Sequence, residues 1–142
     1  MDLLHEIWWI YILRCGDNSF YTGITNNIVF RYWQHIHSSG GCKYTRSRQP
    51  VDLERCWMVS DKSQALKTER IIKALRRSQK ELLVEDPYLL QQFISSSGFE
   101  FKIVVGNDNT INKLTLNTDP LTRRQAERLL EENKSLVFRS VP

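Results

Sequence analysis

Apolar and polar positions change period several times along the chain, and each change marks an element. The run Trp8 to Arg14 is rich in aromatic and β-branched residues and predicts a strand. Gly16, Asp17 and Asn18 are turn residues, and Phe20 to Thr25 is the returning strand. Asn26 or Asn27 can cap the helix that follows, IVFRYWQHIHSS, which Gly40-Gly41 stops. After the basic loop CKYTRSRQP, the segment VDLERCWMVS alternates in a period of two and predicts a third strand. Asp61 or Ser63 then caps QALKTERIIKALRRS, and Ser78 restarts a short helix through QKELLVED, which ends before Pro87. The order is β-β-α-β-α-α, a mixed α/β layer structure over residues 1–86.

Beyond Pro87 the pattern predicts a short helical connector over residues 87–98, ending in the Ser-rich SSSG. FEFKIVV and INKLTL alternate as strands around GNDN, a hairpin signal. DPLTRRQAERLLEENK has Asp119 at the cap and Pro120 in the first turn of a helix, and SLVFRSV is a last strand. Residues 99–142 are thus expected as a small β-β-α-β extension, with no motif to which chemistry attaches.

Composition narrows the class. A chain of 142 residues suits one domain with an appendage. No apolar run approaches the ~18 residues of a membrane span. MDLLHEIWWIYIL has no basic start and no small-residue cleavage site, so a cytoplasmic location is expected. Cys15, Cys42 and Cys56 are odd in number and form no C-x-x-C, which argues against a disulfide framework or a four-ligand zinc site. Net charge is +4 and unevenly spread: residues 1–84 carry 13 Lys and Arg against 8 Asp and Glu, the remainder 7 against 8. The basic excess points to a polyanion partner for the N-terminal part.

Several side chains sit where a core would not put them. Tyr11 and Tyr21 place phenols on facing strands, and a buried hydroxyl needs a partner. Glu69 shares a helix face with Ala65, Leu66, Ile72 and Leu75. A carboxylate there must be paired, with Lys73 or Arg76, or serve as a hard oxygen ligand for Mg²⁺. Arg31 and His35 are four apart and project from one helix face, a phosphate-binding guanidinium beside a group that titrates near neutrality. Lys43, Tyr44, Arg46 and Arg48 combine phosphate-binding charge with a stacking ring, as a nucleic-acid groove does. The run Lys67, Arg70, Lys73, Arg76, Arg77 and Lys80 reads as an ordinary polar helix face.

The order of these residues is more specific than any of them alone. Trp9-Ile10-Tyr11, Tyr21-Thr22-Gly23, FYTGITNN…RYWQH, CKYTRSRQP and ALKTERIIKAL…QKELL together resemble the GIY-YIG nuclease domain, and within it the small stand-alone bacterial YhbQ-like members. The resemblance runs from Trp8 to Val84. It implies a three-stranded antiparallel sheet flanked by helices. It also implies a metal-dependent endonuclease that hydrolyses phosphodiester bonds in DNA with Mg²⁺ or Mn²⁺.

Carried onto this chain, the resemblance makes Glu69 the metal ligand and Arg31 the group that holds the scissile phosphate. Tyr11, Tyr21 and His35 line the nucleophile's side, and one of the tyrosines acts as general base. Gly23 and Thr25 would lie beside the substrate backbone, Gly23 by admitting it close to the sheet. Lys43, Arg46 and Arg48 would contact the substrate. Two departures stand out. Trp9 and Thr22 replace the glycine and isoleucine of the two triplets, and no asparagine lies between Glu69 and Asn107.

Without a recognisable reader domain, selectivity for nicked, branched or single-stranded DNA in repair is expected over sequence-specific cutting, with RNA as the alternative substrate. The rival reading is a nucleic-acid-binding module that kept the fold without the catalysis. A homodimer through the strand near residues 136–141 is a further expectation, since edge strands pair between chains.

Overall fold

The structure, a computed structural model, describes residues 7–36, 50–109 and 111. Its elements run β1 (Trp8–Cys15), β2 (Phe20–Thr25), α1 (Ile28–Ile36), β3 (Pro50–Val59), α2 (Lys62–Ala74), α3 (Arg77–Glu85), α4 (Leu89–Ser96) and β4 (Val104–Val105). The sheet has the order β2-β1-β3-β4 and every pairing is antiparallel. Tyr11 lies opposite Gly23 on one side and Cys56 on the other.

β1 is central, which explains its nearly unbroken apolar sequence: helices cover both faces of the sheet. Trp9, Tyr11 and Leu13 point toward α1 and pack with Ile28, Tyr32, Leu53, Cys56 and Met58. Ile10 and Ile12 point the other way, where Trp57, Val59, Ala65, Ile72, Leu83, Leu90 and Ile94 form the second core. Each fully buried aliphatic side chain contributes ~1.5–3 kcal/mol by leaving water. Cys15 and Cys56 are buried thiols. Burial pushes Cys56 up to about 12, so it stays protonated and inert.

The caps of α1 and α2 act as the sequence suggests, with the alternatives now resolved, whereas α3 starts at Arg77 with Arg76 as its N-cap and not Ser78; the Arg76 N–H donates to Gln79 Oε1 at 3.0 Å. Asn27 caps α1, its Oδ1 accepting from the Phe30 N–H at 3.2 Å. Asp61 caps α2, accepting from the Gln64 N–H at 2.8 Å. α2 stops at Ala74, earlier than the pattern predicts, because Leu75 turns to extended backbone. The β1–β2 turn is held from outside. Phe20 lies between the Arg14 and Arg77 guanidiniums, 4.7 and 3.8 Å from its ring centre. Arg77 also donates to the Asn18 carbonyl at 2.6 Å, which ties the turn to α3.

One expectation of the fold is corrected: the sheet has four strands, not three. The fourth comes from the segment assigned to the C-terminal extension. Ile103 and Val105 are buried in the same core as α2–α4. The Gln91 side chain staples this segment to α4, donating to the Phe101 carbonyl and accepting from the Ile103 N–H, both at 3.0 Å. Gly106 donates to the Cys56 carbonyl at 2.9 Å, and a Cβ there would collide with the Cys56 sulfur. Where a hairpin loop is expected, Asn107 starts a helical turn: the Ile111 N–H donates to its carbonyl at 3.0 Å. Arg55 pins the end of α3 and this turn together through the Val84 carbonyl (2.6 Å) and Asp108 (2.9 Å). The remainder of the expected extension, residues 112–142, lies outside the described residues, as do Cys42 and the loop bearing Lys43, Tyr44, Arg46 and Arg48. No helix among the described residues is long and apolar enough to cross a membrane.

Gly23 offers a direct check of this packing. A Cβ there would stand 2.5 Å from the Tyr11 hydroxyl oxygen and 3.0 Å from the Tyr21 ring. Tyr11 is 1% exposed and has nowhere to retreat. Gly23→Ala should therefore destabilise the protein by ~1–3 kcal/mol, seen as a lower denaturant midpoint at unchanged m-value. A midpoint within error of the wild type would mean that Tyr11 does not occupy this place.

Candidate active site

The phenol of Tyr11 is buried and therefore needs a partner. It finds one in His35, whose Nε2 lies 2.8 Å from the Tyr11 oxygen. His35 is itself fully buried, delivered from the last turn of α1. Tyr21 completes the group from β2: its ring centre is 5.1 Å from the imidazole and 6.2 Å from Tyr11, and Tyr11 lies 5.7 Å from the imidazole. Tyr21 is only half-buried. The three rings thus form one cluster, with the half-buried Tyr21 on the edge strand and the fully buried Tyr11 on the central one.

Electrostatics fix the state of the imidazole. Burial lowers the His35 pKa to about 4, and the nearby Arg31 guanidinium pushes in the same direction. His35 is therefore neutral near pH 7, and one of its ring nitrogens remains an acceptor. Tyr32, one turn earlier on α1, is also buried. Burial, followed by Asp52, raises it to about 12, so it stays a phenol.

Arg31 projects half-buried from α1 and donates to Gln34 Oε1 at 3.0 Å. The sequence reading passes over Gln34; its spacing of three from Arg31 on one helix is the signal that would have found it. Thr25 is occupied locally: its hydroxyl accepts from the Asn27 N–H at 3.0 Å and donates to the Asn27 carbonyl at 3.3 Å. It shapes the entry to α1. Gly23 leaves room for the Tyr11 hydroxyl on the α1 face.

Glu69 comes from a different helix than Arg31 and His35. Its helix, α2, covers the opposite face of the sheet, where it crosses β2 and β1. Of the two cations that the sequence offers it, Lys73 is the partner, with Nζ 3.5 Å from Oε2. The Glu69 side chain is 18% exposed and the pair is loose, so the carboxylate is both shielded and reachable. Among the described residues β2 is an edge of the sheet, so a site that combines Arg31, Tyr21 and Glu69 would straddle that edge.

Among the described residues no three His, Cys, Asp or Glu side chains converge. Zinc takes three or four such ligands. A single carboxylate suits an ion that keeps most of its water, and Mg²⁺ is held by one or two carboxylates in this way. The donor chemistry of Glu69 fits Mg²⁺ or Mn²⁺.

The GIY-YIG catalytic domain matches residues 7–82, more than half of the chain. A UPF0213 protein of Desulfotalea psychrophila is 45% identical over 55% of this chain and 71% of its own length. The UPF0213 protein YhbQ of Salmonella arizonae is 38% identical, over 63% of this chain and 88% of its own. The solution NMR structure of a UPF0213 protein from Bacillus halodurans is 38% identical and covers 63% of this chain and 97% of that one, with a TM-score of 0.38. With the family match spanning both triplets, the sheet around them and the glutamate-bearing helix, the chain belongs to the GIY-YIG family, among its YhbQ-like UPF0213 members.

Proposed function

We propose that the protein is a metal-dependent endonuclease that hydrolyses phosphodiester bonds in DNA, acting in the cytoplasm on nicked, branched or single-stranded structures during repair. The observation that carries this reading is the buried Tyr11–His35 hydrogen bond with Tyr21 packed against it. A core has no need of two phenols and an imidazole in contact, and burying them is costly unless they are used.

In this reading the scissile phosphate sits at the exposed edge of β2. Arg31 holds it by charge-assisted hydrogen bonds and offsets the negative charge that builds on its oxygens. Tyr21 is the less buried of the two phenols; once it has given its own proton to solvent, its phenolate takes the water's proton and the hydroxide attacks phosphorus. Tyr11 and His35 are positioning residues: their hydrogen bond fixes the imidazole against the Tyr21 ring. Glu69 would hold Mg²⁺ or Mn²⁺, exchanging Lys73 for the ion. When bound, such an ion neutralises the leaving oxygen. Lys43, Arg46 and Arg48 extend the contact along the backbone. A second reading, binding without cutting, is favoured by one observation: Glu69 already has a cationic partner in Lys73.

The two readings separate in one assay. Labelled duplex, nicked, forked and single-stranded DNA, with RNA alongside, is incubated in Mg²⁺, Mn²⁺ or EDTA. Wild type should cut DNA only with metal, and Glu69→Gln and Arg31→Ala should each lose ~10²–10³ in rate while still binding. Cutting by Glu69→Gln at the wild-type rate would remove Glu69 from the mechanism. Binding without cutting by wild type would favour the second reading.

His35 makes a separate prediction about pH. In the folded protein it titrates near 4, against an ordinary 6.5, so in this window the unfolded chain binds the proton first. The stability carried by neutral His35 is complete above pH 6.5 and is lost as pH falls toward 4. The slope is at most ~1.4 kcal/mol per pH unit. Denaturant unfolding at stepped pH should show this acid slope in wild type and a shallower one in His35→Gln. Equal slopes would assign the titration to another group.

A further inference from the structure

On the flank of α2 away from Glu69 lies a groove of about 420 Å³, walled by α2 on one side and by α4 and Phe99 on the other. Its floor is apolar and aromatic: Ile71, Phe93 and Phe99 line it. Its rim is cationic. Lys67 Nζ stands 5.1 Å above the Phe99 ring, and Arg70 is exposed with no acidic side chain in ion-pair range among the described residues. Glu100 follows Phe99 in sequence but does not line the groove. From Lys62 to Lys80, the charged side chains are Lys62, Lys67, Arg70, Lys73, Arg76, Arg77 and Lys80 against Glu69 alone. Of these, Lys67 and Arg70 line the groove itself, and no acidic side chain does.

We infer that this groove binds an unpaired nucleotide of a single strand. One base lies against Phe99 and Phe93, and the adjoining phosphate is held by Lys67 and Arg70. Aromatic rings beside a cationic track are the chemistry by which single strands are held without sequence preference. The volume lies at the lower end of the ~300–1,000 Å³ of small-ligand sites, room for a nucleotide and not for a duplex. The charge excludes a cationic partner, and the two rings give a base more than the cations alone would give an acidic chain.

The inference deepens the nuclease reading and rests on it for direction. Only the width of α2, ~10 Å, separates this groove from the Glu69 flank. A strand crossing α2 would reach both. The groove would then select substrates with an unpaired strand next to the scissile bond, such as flaps and forks.

Fluorescence anisotropy with labelled oligo-dT and with blunt duplex tests this, alongside cleavage of forked and nicked DNA. Arg70→Gln and Lys67→Gln change exposed side chains and leave the core intact, and Phe99→Leu keeps apolar volume while removing the ring. Phe99→Leu should weaken oligo-dT binding on the order of 10-fold. The double variant Lys67→Gln/Arg70→Gln should lower the salt slope for oligo-dT by ~0.7, the one phosphate that the pair holds. Duplex affinity should move little in either, and forked DNA should lose its advantage over nicked DNA.

Equal losses on oligo-dT and duplex would reduce the groove to part of a general positive face and overturn the proposal. So would unchanged oligo-dT binding, or competition by polyglutamate as strong as by oligo-dT, which would assign the groove to an acidic peptide. Glu69→Gln separates the two readings: it should abolish cutting and leave oligo-dT binding intact. Wild type that binds oligo-dT through Phe99 yet never cuts would sink the nuclease reading alone.

Discussion

A single buried hydroxyl sets the terms for the α1 side of this protein. Tyr11 lies in the central strand, where both faces of the sheet are covered, so its oxygen cannot reach bulk water. It needs a polar partner inside the core, and His35 supplies one at 2.8 Å. It also needs space, which Gly23 supplies by having no side chain. These two requirements dictate the pairing of β1 with β2 and the rotation of α1. A register slip of one residue would turn Tyr11 to the opposite face, away from both.

The helix that brings His35 is anchored at its other end by short polar contacts. Thr25 and Asn27 satisfy the backbone where β2 passes into α1. Rigid placement at the start of the helix and a buried hydrogen bond at its end leave the imidazole one orientation. The same burial that holds it keeps it neutral. Structure and chemistry are coupled here: a group cannot be locked in an apolar core and remain an ordinary titrating surface histidine.

The opposite face is organised by different means. There the core is aliphatic around Trp57, whose indole N–H donates to the Pro87 carbonyl at 3.0 Å. Arginines at the margins stitch helix ends to strands, Arg55 to the end of α3 and Arg77 to the β1–β2 turn. Glu69 belongs to this layer. The two layers meet beside β2, which among the described residues is an edge strand of the sheet.

The sequence by itself determined the local elements and the family. Strand periodicity, the Gly16-Asp17-Asn18 turn and the caps at Asn27 and Asp61 act over a few residues, so their signals are local and legible. The two triplets and the spacing of Arg31, His35 and Glu69 identify a GIY-YIG domain for the same reason. What the tertiary structure decided depends on contacts between distant segments. It made Tyr11 the partner of His35, twenty-four residues away. It gave Gly23 to the Tyr11 hydroxyl and packed the helix of Glu69 on the opposite face of the sheet from α1. It also drew Val104–Val105 into the sheet as a fourth strand, because their apolar side chains complete a core whose other walls lie up to 95 residues earlier, at Ile10. Local pattern says that a residue is apolar or capped; only burial against a specific neighbour says what it is for.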